Sequence, residues 1–393
     1  MTSTSETPAA PPYVPAEVQH HLRAVAARGS ELNRLLWKNF TRNFATDPEP
    51  ISAEQRDYLY RHGFTPEKWN LYRLHERDPS LFLSDVERDR TRRANGAFDI
   101  VFNNKILFTQ VFSNYCRVPA VAAVWRDGRM IPYGDLWGKV KEGKLEAPIR
   151  LVAKPIGGGG GGSIYFLSCD NSAITVESND HNEKRRRFLP ANIERLFADA
   201  RVPFMVTEFI VQGEYSRRLY PLAVNTMRVL VIRDPETLQP HVVRAVQRMG
   251  TAESYPIDNF SYGGLSAAIN LDTGELGYAV AAAGPYAREF LERHPDTFEP
   301  IKGKIIPNWH KMMEDVKALF LRMPYITYCG FDLVVQDDGF SVIEGNSFSQ
   351  VRLFQVHEPL LTDLLYCKFL AHLDIYMGCI DAPEWNPESG QLK

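Results

Sequence analysis

An α+β fold with a helical N-terminal segment is predicted by three features of this 393-residue sequence. Residues 16–95 are charged and Arg-rich, with no strand-like alternation. After Asn95, short apolar runs bounded by Gly and Pro take over, and only a few helical stretches interrupt them. Strands in runs, mixed with helices, fit α+β architecture better than a doubly wound parallel sheet.

Residues 1–15 are rich in Ser, Thr, Pro and Ala, lack the basic start and apolar stretch of a signal peptide, and read as a disordered lead-in. The helical segment, residues 16–98, carries Val18, Leu22 and Val25 and then Leu35 and Leu36 at helical spacing. Pro48, Pro50, Pro66 and Pro79 divide it into short helices, because proline cannot continue a helix interior. Expected strands are 120–125, 149–153, 164–167, 204–211, 227–233, 241–246, 328–335 and 340–343, all rich in β-branched and aromatic residues. A helix over 308–321 follows from Trp309, Met312, Met313, Val316, Leu319 and Phe320, and a second is expected over 358–376.

Composition excludes several classes. Forty-five basic and 48 acidic side chains leave a net charge of -3, so no global field favours nucleic acid or an anionic membrane. The run Lys184-Arg185-Arg186-Arg187 lacks interleaved aromatics and reads as a solvated face. The five cysteines show no CxxC pair, which points to reduced thiols and a cytoplasmic protein. No apolar run approaches the roughly 20 residues needed to span a bilayer.

Two segments carry chemistry. Lys154-Pro155 ends a strand, Gly157 to Gly162 and Ser163 follow, and another strand begins at Ile164. Glycines let backbone amides turn toward phosphate oxygens. The Lys precedes the loop and a strand follows it, which excludes both the P-loop and the dinucleotide fingerprint. A mobile flap that folds over polyphosphate fits a loop between two strands, and the plainer alternative is a flexible surface linker. Later, Gly330-Phe331-Asp332 and Glu344-Gly345-Asn346 flank the turn Gln336-Asp337-Asp338-Gly339 in a hairpin that places Asp332 beside Glu344, with Asn346 on the same side. Two carboxylates and an amide oxygen are hard ligands suited to Mg²⁺.

These residues resemble the ATP-grasp enzymes, which hold Mg-ATP between two α+β subdomains. Asn104-Lys105-Ile106-Leu107-Phe108 is similar to the early lysine segment, Lys154-Pro155 with the glycine run to the second lysine and flap, and Thr207 to Gly213 to the linker that meets adenine. The sequence is closest in texture to the sugar-transfer-associated ATP-grasp group, through His294-Pro295-Asp296-Thr297, Lys302 to Pro307 with Trp309, Gly330-Phe331-Asp332, Glu344-Gly345-Asn346 and Gln355. The resemblance implies a smaller subdomain over 99–205 and a C-terminal one over 206–385. It implies that Lys105 and Lys154 neutralise phosphates, and that Gly158, Gly159, Gly160, Gly161, Gly162 and Ser163 cover them. It also implies that Glu208, Phe209, Ile210 and Val211 meet adenine, that Glu214 accepts the ribose hydroxyls, and that Asp332, Glu344 and Asn346 hold Mg²⁺. Arg228 is placed to hold a phosphoryl group or carboxylate, with Arg244 and Arg248 candidates for the same pocket.

The implied activity is a carboxylate-amine ligase that uses Mg²⁺ and ATP, passes through an acyl phosphate and releases ADP and phosphate. Its partners would be small carboxylates and amines, amino acids or peptides among them. The same grip on ATP also serves a kinase or a non-catalytic nucleotide-binding protein.

Overall fold

The computed structural model describes residues 16–158, 163–180, 183, 185–376, 385–386 and 391–392. The expected lead-in over 1–15, and Gly159 to Gly162 of the glycine run, lie outside the described residues.

The N-terminal segment is helical, with α1 (Ala16–Thr46), α2 (Ala53–Arg61), α3 (Lys68–Leu71) and α4 (Asp85–Arg90). Ser52 and Ser84 start α2 and α4 with reciprocal capping boxes to Gln55 and Glu87. Next come α5 (Ile100–Asn103) and α6 (Lys105–Phe112), the latter capped by the Asn104 side chain.

The first sheet contains β1 (Val121–Arg126), β2 (Arg129–Pro132), β3 (Ile149–Pro155), β4 (Tyr165–Cys169), β5 (Ile174–Ser178), β6 (Arg186–Phe188) and β7 (Phe204–Glu208), with α7 (Leu136–Glu142) between β2 and β3. Its order is β2-β1-β7-β3-β4-β5-β6, and each pairing is antiparallel. Because β7 is bonded between β1 and β3 and buries Phe204 and Val206 with Trp125, Trp137 and Phe197, a border between 205 and 206 falls inside a strand. The strand also stops at Glu208 rather than Val211. In the basic run, Arg185 and Arg186 pair with Glu177 and Glu183.

The second sheet follows α8 (Glu214–Leu219). It comprises β8 (Thr226–Arg233), β9 (Pro240–Met249), β10 (Leu265–Ile269), β11 (Leu276–Ala281), β12 (Tyr328–Gln336) and β13 (Gly339–Asn346), in the order β11-β10-β9-β8-β12-β13, again antiparallel throughout. Helix α9 (Trp309–Leu321) buries the six residues whose spacing predicted it. With α6 it covers one face of the sheet, against Val229, Phe331 and Leu333. The expected 358–376 helix begins only at α11 (Leu364–Tyr376), after α10 (Arg352–Gln355), because Leu360–Thr362 forms a 3-10 turn and Asp363 then accepts from the Tyr366 amide.

On the opposite face, Leu230, Ile232 and Tyr328 sit under the N-terminal helices through Leu59, Tyr72 and Phe82. The N-terminal segment thus shares a core with the second sheet. Where this helical cover ends, the same face turns polar, and there the candidate site begins.

A histidine under this cover gives a pH test. His357 packs by Ser266 Oγ at 3.3 Å, and burial lowers its pKa from the ordinary 6.5 to about 4. Folded His357 stays neutral while the unfolded imidazole takes a proton, so its stability contribution is whole above pH 6.5 and is lost as pH falls toward 4. The loss should reach about 3 kcal/mol. Urea titrations across this range should show a shallower acid loss for His357→Gln; parallel curves for variant and wild type would exclude the effect.

Candidate active site

A cleft of about 760 Å³ opens between the two sheets. Three adjacent strands build its acidic wall. In one cross-strand row Arg228 on β8 faces Asp332 on β12, which faces Glu344 on β13. In the next row Leu230 faces Gly330, which faces Asn346. Asn346 Nδ2 donates to Gly330 O at 3.1 Å, which leaves its Oδ1 as the available group. Gly330 is required for close approach, since a Cβ there would stand 2.5 Å from Ser349 Oγ.

Asp332 is held by guanidinium groups. Its Oδ1 accepts from Arg228 Nε, and Oδ2 accepts from Arg228 Nη2 at 2.8 Å and from Arg248 Nη1 at 3.1 Å. Arg248 Nη2 donates to Asp258 Oδ1 at 2.7 Å, and Asp258 Oδ2 also accepts from the Thr226 amide and hydroxyl. Burial disfavours the charge on Asp332 and on Arg228. Mutual attraction outweighs it, lowering the Asp332 pKa and raising that of Arg228. Glu344, against Asp332, has no ion pair among the described residues.

The facing wall supplies cations. Lys154 lies near the end of β3 in the cleft, and its ammonium has no hydrogen bond or ion pair to a described residue. Burial pulls its pKa below the ordinary value, with Lys105 acting in the same sense and Glu344 and Asp332 acting against it. Lys105, at the first turn of α6, donates from Nζ to Gly158 O at 2.7 Å, so helix and flap are tied. Gly157, Gly158 and Ser163 line the cleft. Val152, Phe166 and Ile210 supply apolar lining, and Phe209 lies under Arg150 at 3.8 Å.

The fold brings Lys105, Lys154, Gly158, Ser163, Glu208, Phe209, Ile210, Arg228, Arg248, Asp332, Glu344 and Asn346 to this one cleft. Val211 and Glu214 lie outside it: Val211 is 66% exposed, and Glu214, at the start of α8, pairs with Arg217. Arg244 also lies outside. It shares a face with Arg248, but it stands opposite Leu230, and its guanidinium is engaged by the 358–363 segment through Pro359 O, Thr362 Oγ1 and Asp363. His294 is buried in its own turn, bonded to Gly250 O at 2.7 Å and accepting from the Asp296 and Thr297 amides.

The sequence reading missed Arg88, Phe348, Gln350 and Arg352, which line the end of the cleft near Asp258. Arg352 bonds both oxygens of Glu67 and also Ser261 Oγ. A short helix and a loop carry no periodic signal for such a role; only the capping box at Ser84 marks the Arg88 helix.

Among the described residues, no group of three or more His, Cys, Asp or Glu could hold a metal ion. Two carboxylates and an amide still fit magnesium, which keeps several ligand positions for phosphate and water. Of the three, Glu344 and Asn346 Oδ1 retain capacity. Asp332 already accepts three guanidinium bonds.

Two antiparallel sheets flank the cleft, and the first bears Lys154 and the start of the glycine run, an arrangement that agrees with the ATP-grasp class. The chain belongs to the sugar-transfer-associated ATP-grasp family, whose sequence profile matches residues 90–365. No curated protein matches the sequence. Among solved structures it is similar to D-alanine–D-alanine ligase from Bacillus anthracis complexed with ATP, at 10% identity and a TM-score of 0.36, covering 71% of this chain and 66% of that one. The ATP-grasp ligase PsnB complexed with its minimal precursor gives 13% identity, a TM-score of 0.35 and coverage of 71% and 63%. The chain therefore spans slightly less than two thirds of either. No described helix is long and apolar enough to cross a membrane.

Proposed function

We propose that this protein is an ATP-dependent carboxylate-amine ligase. The observation that carries the proposal is Lys154, a partly buried ammonium without an anionic partner, set across the cleft from Glu344 and Asn346, which have ligand capacity to spare. A cation in search of an anion and an acidic pair in search of a cation are both satisfied by a magnesium polyphosphate.

In this reading Lys154 and Lys105 hold phosphate oxygens, and Lys105 draws the flap down through Gly158. Val152, Phe166 and Ile210 enclose the adenine, and the backbone from Glu208 to Ile210 reads its edge. Glu344 and Asn346 would ligate magnesium, which supplies charge neutralisation on the phosphates. The substrate carboxylate attacks the γ-phosphorus and ADP leaves; the amine then attacks the acyl carbon of the acyl phosphate and phosphate leaves with the amide formed. Arg248, fixed by Asp258 and Asp332, stabilises the negative charge that builds in both steps. The chain contributes binding, orientation and charge rather than a nucleophile.

Incubation with Mg-ATP, pooled amino acids and small carboxylic acids should release ADP and phosphate in step with a new amide. Release of AMP and pyrophosphate, or a stable phosphorylated acceptor, would overturn the ligase reading.

A further inference from the structure

Four arginines line the cleft, and three are already matched by carboxylates. Arg228 is held by Asp332, Arg248 by Asp332 and Asp258, and Arg352 by Glu67. Arg88 has no ion pair among the described residues. It donates from Nε to Ser349 O at 2.9 Å and from Nη2 to Phe348 O at 3.3 Å, and its remaining N–H groups have no described partner. Arg88 is partly buried, and a guanidinium withdrawn from water is normally paired, because leaving its charge uncompensated is costly.

Its position is fixed from several sides. The Phe348 ring meets Arg88 at 3.6 Å and Arg92 at 3.5 Å, so two guanidinium groups stack on one aromatic ring. Ser349 ties Arg88 to the acidic wall, since its hydroxyl accepts from Arg228 Nη1 at 3.3 Å while its carbonyl accepts from Arg88. Arg88 is thus separated from Asp332 by Ser349 and Arg228. Gln350, Asn259 and Tyr262 complete this end of the cleft with polar groups.

We infer that Arg88 is the docking cation for an oxyanion, carboxylate or phosphate, on the acceptor substrate, and hence that the acceptor is an organic acid seated between the N-terminal helices and the 347–352 segment. The inference rests on the ligase reading for the word acceptor; the anion site itself stands on the unmatched guanidinium. It also gives the N-terminal segment a binding role in addition to its packing on the second sheet.

The test is calorimetric titration of the full chain, saturated with Mg²⁺ and a nonhydrolysable ATP analogue, with inorganic phosphate and separately with succinate. At least one should bind with a single-site isotherm, and which one binds tells a phosphate-bearing acceptor from a carboxylate-bearing one. Arg88→Gln should weaken that binding by about tenfold or more, while analogue affinity stays within about twofold of wild type. Failure of both anions to bind, or equal affinity in Arg88→Gln, would overturn the inference. If the variant does not fold, phenylglyoxal labelling of the wild type decides instead: Arg88 should be protected by the anion, and an unaltered labelling rate counts against the site. Should the analogue fail to bind, the ligase reading fails, and the same titration on the nucleotide-free chain still decides for or against Arg88.

Discussion

Glu344→Gln is expected to lower magnesium-dependent turnover by about 100-fold or more, because a metal ligand supplies several kcal/mol of charge stabilisation when phosphoryl groups move. The substitution keeps the size of the side chain and removes its charge. Two consequences follow at the site. The magnesium concentration for half-maximal activity should rise, and Lys154 loses the anion that most opposes its low pKa. Stability should change little, since Glu344 is only partly buried and has no ion pair among the described residues, and surface-like substitutions usually stay within about 0.5 kcal/mol. Steady-state rates across a magnesium titration, with thermal unfolding alongside, provide the check. A variant with unaltered turnover and half-saturation would remove Glu344 from the metal site.

Asp332→Ala should act in a different way, as a folding defect. Asp332 and Arg228 have side chains only 3% and 7% exposed, and the carboxylate is the one acid that both Arg228 and Arg248 share. Its removal leaves a buried guanidinium without its counter-charge, an effect of about 3–5 kcal/mol. Arg248 keeps Asp258 at 2.7 Å, so Arg228 bears most of the loss. Urea unfolding of the variant should show the drop in midpoint, and a loss below about 1 kcal/mol would mean that water reaches Arg228. Asp332 thus orders the arginines, whereas Glu344, with no ion pair among the described residues, is the acid that the proposed function gives to the metal. Two acids that look equivalent in the hairpin are divided by what lies on the neighbouring strand.

That division shows where reading the chain alone succeeds. The 336–339 turn with apolar runs on both sides is a local pattern, so the pairing of Asp332 with Glu344 follows from counting residues outward from it. The helix over 309–321 is legible for the same reason, since a 3.6-residue period is a property of one segment. Lys154 next to the glycine run is similarly local, whereas Lys105 is singled out only through the family resemblance. Local signals also overreached. Arg244 and Arg248 lie on one face of β9, as their spacing implies, but spacing cannot say that the distant 358–363 segment engages Arg244. Glu214 and Val211 follow a strand that ends earlier than its apolar composition suggested, and the chain turns them away from the cleft.

The sequence by itself therefore determined the α+β class, the strand that carries Lys154 and the acidic hairpin, because each arises from period, turn chemistry or neighbouring residues. Only the tertiary structure decided which arginines face the cleft, that Asp332 is spent on two of them, and that Arg88 enters from the N-terminal helices. The physical reason is separation along the chain. Arg88 meets Ser349 across 261 residues and Arg228 meets Asp332 across 104, and the hydrophobic burial that brings such distant pairs together is non-directional. It leaves no periodic mark on the charged residues it carries into place.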